Sequence, residues 1–281
     1  CGEDPPPPVR CSRRPPGSAA VALERRGFVQ LLAEGLAGRQ LLDVLPIFTS
    51  TPAKTDTQHF GGRMAWLPDG TLLLGMGDGN LERTDAQRLH THLGKLLRIK
   101  PDGSVPENNP FLKRSGALPE IYSTGHRNPQ GVVVLGGVPY AHEHGARGGD
   151  ELNRIEPGAN YGWPITTGGI DYTYARITPY RQLPGIVPPV VEWTPSIAPA
   201  GLALYDGALF PAWRGSLLVA ALAERSVRRV PMANGVPGPQ EVLFKELGER
   251  IRDVRAGPDG AIYLLTDSPN GRVLRVVPAG P

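Results

Sequence analysis

The stretch "AWLPDGTLLLGMGD" (65–78) returns in altered form as "VRAGPDGAIYLLTD" (254–267). Both carry a Pro-Asp-Gly turn, four or five apolar strand residues and a closing aspartate. Proline fixes the first turn position and glycine takes the positive φ, so each Pro-Asp-Gly marks the tip of a tight hairpin. The same turn recurs in "RIKPDGSVP" (98–106), and "LALYDGALFPAWRGSLLVAAL" (202–222) supplies two more strands around a looser version. From about Leu41 onward, short apolar runs alternate with Gly, Pro, Asp and Asn clusters, which is the texture of strands and turns. Imperfect strand-pair repeats at this spacing predict an all-β chain of the β-propeller class. A β-sandwich accounts less well for the recurring turn. A propeller gathers its ligand-binding loops on one face above the central channel, so the polar loops are expected to converge there.

Composition bounds the alternatives. The chain has 281 residues, 36 of them Gly and 31 Pro, and 40% are hydrophobic, enough to bury a core in one large all-β domain or two smaller ones. No run of about 18 apolar residues exists to span a membrane. The net charge of +3 is small and the arginines are scattered, which gives no support to nucleic-acid binding. The two cysteines, Cys1 and Cys11, both lie in the opening dozen residues, so disulfides do not hold the body together. Residues 1–40 are set apart as a poorly patterned, leader-like or disordered segment, with residues 41–281 as the propeller domain. Within that segment, residues 19–40 have the pattern of a short amphipathic helix. A chain that opens on cysteine fits a processed lipoprotein anchored through Cys1, although a fragment with its true start elsewhere is the preferred reading.

Three polar loops carry the candidate chemistry. In "TQHFGGRM" (57–64), His59 precedes a Gly-Gly turn into a strand. A lone histidine is more often structural than catalytic. Here, however, the antiparallel return of the hairpin leads to Asp78, and a carboxylate on an imidazole fixes its tautomer as a general base requires. In "EIYSTGHRNPQGV" (120–132), Arg127 can fork to a carboxylate, while Asn128 and Gln130 offer both donors and acceptors. That set suits a flat, anionic, carbonyl-rich ligand, and no phosphate-binding glycine pattern points to a nucleotide. In "HEHGARGGDELNRIEPGANYGWP" (142–164), Asp150, Glu151, Asn153 and backbone carbonyls are oxygen ligands that favour Ca²⁺. His142 and His144 hint at zinc more weakly.

The segments "GHRNPQG", "EHGARGGDELN", "NYGWP", "PSIAPAGLALY" and "ERIRDVRAGPDGAIYLLTD" occur in one order. In that order the chain, from about Leu41 to its C-terminus, resembles the soluble quinoprotein sugar dehydrogenases of the glucose/sorbosone dehydrogenase family, which includes the aldose sugar dehydrogenases. The resemblance implies a six-bladed β-propeller that binds pyrroloquinoline quinone (PQQ) and Ca²⁺ in its central cleft. It also implies oxidation of the anomeric hydroxyl of aldoses to lactones, with electrons passed to an external acceptor, in the periplasm or outside the cell. By this resemblance His59 is the base and Asp78 its partner. Arg127, Asn128 and Gln130 form the cofactor loop, and Arg250 and Arg252 contact the quinone, with Arg252 also stabilising charge on the reduced ring. The carbonyls of Gly145 and Ala146 hold the active-site Ca²⁺, and Asp150, Glu151 and Tyr161 belong to a neighbouring calcium region.

Three features depart from the family pattern. The first expected blade is missing before residue 41, which leaves four or five. Ala223 stands where some relatives place a lysine on the cofactor, and the connection over 132–145 is short. Two other classes therefore stay open: a non-catalytic propeller that binds carbohydrate or protein, and a calcium-dependent lactonase.

Overall fold

The computed structural model describes the backbone of residues 29–33, 36–37, 40–41, 44–54 and 56–279, with side chains from residue 44 onward. Cys1 and Cys11, and with them the proposed lipid anchor, lie outside the described residues. Four antiparallel sheets follow one another along the chain. The first holds β5 (Gly61–Trp66), β6 (Leu72–Met76), β7 (Lys95–Ile99) and β8 (Ile121–Thr124), after a ribbon of β1 (Val29–Ala33) on β4 (Val44–Thr49) and a small hairpin of β2 (Leu36–Ala37) and β3 (Gln40–Leu41). The second holds β9 (Pro129–Leu135), β10 (Val138–Glu143), β11 (Asp150–Arg154) and β12 (Val191–Trp193). In the third, β13 (Pro199–Tyr205), β14 (Ser216–Ala221) and β15 (Ser226–Ala233) are extended by β16 (Val236–Pro237) and β17 (Glu241–Leu243), both on β15. The fourth holds β18 (Ile251–Ala256), β19 (Ile262–Thr266) and β20 (Val273–Val276).

The three Pro-Asp-Gly tips have one geometry. Gly70 N–H donates to Leu67 O at 3.0 Å, Gly103 N–H to Lys100 O at 2.9 Å and Gly260 N–H to Gly257 O at 2.9 Å. The three glycines have φ of +76°, +83° and +77°, which only glycine adopts without strain. Each aspartate then accepts a bond from the backbone N–H two residues on, from Thr71, Ser104 and Ala261. Two of these tips join neighbouring strands, β5 to β6 and β18 to β19, whereas the turn at 101–103 opens into the long connection from β7 to β8.

The first strand of each sheet lies innermost: β5 packs beside β9, β9 beside β13 and β13 beside β18. No comparable packing joins β5 to β18, yet Arg63 of β5 reaches Asp253 of β18, Nη1 to Oδ2, at 4.0 Å. The strands alternate between neighbours as the two-residue period requires. Leu217, Val219 and Ala221 of β14 face the second sheet with Tyr140, Leu152 and Trp193, while Leu218 and Ala220 face the fourth with Ile251, Val254 and Leu264. Leu73, Leu96, Val132 and Ala141 fill the space between the first and second sheets. Among the described residues the chain is an all-β propeller of four sheets, a two-stranded ribbon and a small hairpin.

The amphipathic helix expected over 19–40 does not form in the described part of that segment. Residues 29–33 are a strand in register with 44–49, Val29 opposite Thr49. Pairing with an available partner strand outweighs a helical period in a run this short. The paired structure thus begins upstream of Leu41, where the strand-and-turn texture becomes legible.

One buried cation shapes the first sheet. Lys95 is fully buried, and its ammonium donates to the carbonyls of Asp85, Ala86 and Leu93 at 2.6, 3.1 and 2.7 Å. Its amine thereby ties down the segment between β6 and β7. Burial, opposed by Asp85, pulls its pKa to about 7. Above that value the unfolded chain retains a proton that the folded chain gives up, so this group's contribution to stability rises from about pH 7 to about pH 10. Lys95→Met should remove that slope and, by taking away the donor to Leu93 O, lower stability at pH 7 by roughly 1–3 kcal/mol, whereas Asp85 O and Ala86 O keep the backbone donors Arg88 N–H and Gly125 N–H. Urea unfolding at pH 7 and pH 9 measures both effects.

Candidate active site

The hairpin of β5 and β6 brings His59 and Asp78 together. Gly61 pairs with Met76, so the residues two positions outside that pair face each other, with His59 Nδ1 2.6 Å from Asp78 Oδ1. The approach is close. A Cβ on Gly77 would fall 1.9 Å from His59 O, so this position excludes any side chain. His59 itself has φ +52°, an uncommon conformation for a non-glycine residue. Asp78 is fully buried and accepts further bonds from Asn80 N–H at 2.8 Å and from the Trp163 indole Nε1–H at 2.7 Å. With the carboxylate acting only as acceptor, the imidazole proton resides on Nδ1, and Nε2 is left with a lone pair.

The fourth sheet repeats this arrangement with a different cargo. Asp267 closes its hairpin as Asp78 closes the first, and it takes Arg250 Nε at 2.8 Å and Arg252 Nη2 at 3.1 Å. Both arginines are about half exposed, and among the described residues neither bonds to the His59 cluster. Among the described residues, no hydrogen bond or ion pair joins the arginine pair to the other predicted site residues.

Arg127 lies beside the dyad. Its backbone carbonyl accepts Asp78 N–H at 2.8 Å, which fixes the loop after β8 to the β5–β6 hairpin. The side chain is buried, Nη1 donates to Gly145 O at 2.6 Å and to His144 O at 3.3 Å, and Nε is buried with no partner. Asn128 Oδ1 accepts from Gln130 Nε2 at 2.9 Å and from Gly61 N–H at 3.3 Å. Glu143, at the end of β10, aligns the loop from beneath. Its carboxylate takes His126 Nδ1–H at 2.9 Å, Asn128 N–H at 3.2 Å and Arg127 N–H in a short bond. His126 is locked by Ser123 Oγ at 2.8 Å from its Nε2 and by stacking on Tyr161. Ser123, His126 and Glu143 line up as a serine nucleophile, base and acid would, but Ser123 and His126 are fully buried, so the trio is structural.

The residues expected to lie near calcium differ in their bonding. The Gly145 carbonyl holds the Arg127 guanidinium, and Ala146 is buried at the same bend. Asp150 is occupied: it accepts from Gly145 N–H at 2.9 Å, Ser196 Oγ at 2.7 Å and Ala198 N–H at 2.9 Å. The Tyr161 hydroxyl donates to Arg154 O at 2.6 Å and accepts Glu156 N–H at 2.8 Å. Glu151 is different. Burial, with Glu143 adding to it, pushes its carboxyl up to about 8, and it shares Asn153 Nδ2–H with Glu143. Asn153 Oδ1 is a buried oxygen with no partner. A hard cation would suit this corner, although no cluster of three His, Cys, Asp or Glu side chains occurs among the described residues. His142 and His144 each donate a ring N–H to a β13 carbonyl, Gly201 O at 3.4 Å and Pro199 O at 2.7 Å, and His142 Nδ1 is buried with no partner. Burial holds His142 down to about 3. Ala223 lines a separate cleft of about 530 Å³ with Glu224, Arg228 and Lys245.

Trp163 and Glu143 organise the site but escape sequence reasoning. Both sit inside motifs quoted above, "NYGWP" and "HEHG", yet nothing in the spacing reveals that an indole N–H meets a carboxylate 85 positions upstream.

An all-β propeller with an imidazole–carboxylate dyad beside a buried arginine defines the class. The family model described as Glucose / Sorbosone dehydrogenase matches residues 22–275, and the chain belongs to that family. It is 38% identical to the aldose sugar dehydrogenase YliI of Escherichia coli over 243 residues, 85% of this chain and 65% of that protein. It is 28% identical to quinoprotein glucose dehydrogenase B of Acinetobacter calcoaceticus, over 79% of this chain and 61% of that protein. The structure of the PQQ-bound form of aldose sugar dehydrogenase from Streptomyces coelicolor aligns with a TM-score of 0.69 at 29% identity, covering 88% of this chain and 70% of that one. The chain thus spans about two thirds or less of the length of the Escherichia coli and Acinetobacter calcoaceticus relatives. Among the described residues no helix is long and apolar enough to cross a membrane.

Proposed function

We propose that this chain forms the catalytic part of a PQQ- and Ca²⁺-dependent dehydrogenase that oxidises the C1 hydroxyl of aldose sugars to lactones. The electrons would pass to an external acceptor, in the periplasm or outside the cell. The observation that carries the reading is the His59–Asp78 dyad set against Arg127, whose buried Nε donor has no partner. A buried guanidinium with a spare donor calls for an anionic ligand, and a quinone bearing carboxylates fits that donor set.

Arg127, Asn128 and Gln130 would hold the cofactor, with Arg250 and Arg252 added if they leave Asp267. Gly145 O and Ala146 O would contribute to a Ca²⁺ site, and Glu151 with Asn153 Oδ1 to a second. When bound, the quinone supplies a two-electron acceptor and Ca²⁺ a Lewis acid, chemistry that no side chain here provides. His59 Nε2 would take the proton of the C1 hydroxyl. Asp78, itself held by Asn80 and Trp163, would keep the imidazole in the Nδ1–H tautomer and stabilise the imidazolium that forms. Burial of Asp78 keeps water from competing for those bonds.

Arg127 Nη1 now donates to Gly145 O, a carbonyl that Ca²⁺ would take over, while its Nε has no partner and would meet a cofactor carboxylate, so both ligands would draw on one side chain. Ca²⁺ and PQQ should therefore bind cooperatively. Equilibrium dialysis with and without excess chelator is the test: PQQ should dissociate on chelation, and retention of the quinone without Ca²⁺ would contradict the shared site.

A further inference from the structure

We infer that Trp163 is a positioning residue that couples the His59–Asp78 base to the Arg127 grip. Its indole N–H donates to Asp78 Oδ2 at 2.7 Å, while the same ring lies 5.2 Å from the Arg127 guanidinium and 6.0 Å from that of Arg83. Asp78 Oδ1 is meanwhile engaged by His59 and Asn80 N–H. The indole thus fixes which carboxylate oxygen faces the imidazole. A planar carboxylate held at both oxygens cannot rotate, and His59 inherits that orientation.

The clamp is itself built from several elements. Trp163 is 5% exposed, and its backbone N–H donates to Gly125 O at 3.0 Å, two residues before Arg127. Its carbonyl accepts Gln87 Nε2–H at 2.7 Å, and Gln87 also exchanges bonds with Asn160 at 3.1 and 2.6 Å. Arg83 is tethered by Asp171 at 2.8 Å, so its guanidinium stays near the ring. These contacts come from the segment between β6 and β7, from the cofactor loop and from the connection after β11. One aromatic side chain therefore holds base and guanidinium in a common frame, and a cation–aromatic contact with Arg127 adds to it. Movement of either one reaches the other through the ring.

The catalytic consequence rests on the proposed role of His59, but the coupling does not, and the experiment separates them. Trp163→Phe keeps an aromatic face for Arg127 and deletes only the N–H. It should slow single-turnover reduction of bound quinone roughly 10- to 100-fold, the scale of a slightly misplaced catalytic group. PQQ affinity should stay within about twofold of wild type, since the face toward Arg127 remains. Trp163→Ala, which removes the face as well, should weaken PQQ binding roughly tenfold more. A Trp163→Phe protein that turns over at the wild-type rate overturns the inference.

The second measurement leaves Trp163 intact and needs no cofactor. In the cofactor-free protein, the Trp163 indole N–H resonance should be shifted and protected by its bond to Asp78, and His59→Gln should move it. The four tryptophans keep the signal assignable. An indole resonance unchanged by His59→Gln means the two residues are not coupled through Asp78, whatever the protein oxidises.

Discussion

His59→Ala should lower the rate of quinone reduction by an aldose roughly 10²- to 10⁴-fold, the usual share of general-base catalysis, and leave PQQ affinity almost unchanged. The division follows from where the side chains sit. His59 is on the β5–β6 hairpin, with its Nδ1 committed to Asp78 at 2.6 Å, and among the described residues no hydrogen bond joins its side chain to Arg127, Asn128 or Gln130. The cofactor loop keeps its own supports, Glu143 beneath it and Gly145 O at the Arg127 tip. Proton removal from C1 is needed only during turnover, so the loss belongs to the chemical step. Asp78→Asn should cost less than His59→Ala, because the base survives in a mis-set tautomer. Single-turnover absorbance of reconstituted protein mixed with glucose reads both. If His59→Ala keeps pace with wild type, another group takes the proton.

The second large effect is at Arg127. Arg127→Ala should weaken PQQ binding by roughly 2–5 kcal/mol, the cost of leaving a buried charge partner unpaired. Arg127→Lys should recover only part, since an ammonium has neither the fork nor the planar face that Arg127 turns to Trp163. Arg252→Ala should do less than Arg127→Ala. Arg252 is about half exposed and already paired with Asp267, so solvent screens whatever it contributes. Fluorescence titration with PQQ ranks the three variants. An Arg252→Ala loss that equals or exceeds that of Arg127→Ala would mean that the fourth sheet, and not the loop after β8, grips the cofactor.

What could be read in the chain beforehand was its local chemistry. The Pro-Asp-Gly turns were legible because proline and glycine dictate φ at fixed positions, and all three form the same tip. The pairing of His59 with Asp78 was legible in part: both flank one hairpin, but a shift of register between Gly61 and Met64 is what sets His59 opposite Asp78. The helix expected over 19–40 failed where a periodic pattern met a partner strand, because strand pairing is settled by whichever strand lies alongside. The arginine pair was visible as a motif. Its attachment to Asp267 was not, although Asp267 occupies the repeat position of Asp78.

By itself, then, the sequence determined the hairpins, the all-β class and the nearness of His59 to Asp78, since each depends on residues close along the chain or related by one turn. Only the tertiary structure decided which oxygen of Asp78 faces His59, where the Arg127 guanidinium points and which carboxylates remain available to a cation. Those outcomes depend on contacts between sheets far apart in sequence. Trp163 reaches Asp78 from the connection after β11, Glu143 reaches the Arg127 backbone from β10, and Ser196 and Ala198 occupy Asp150 from beyond β12. A polar side chain has several possible partners of equal chemistry, and burial leaves it the one that packing brings within hydrogen-bond reach.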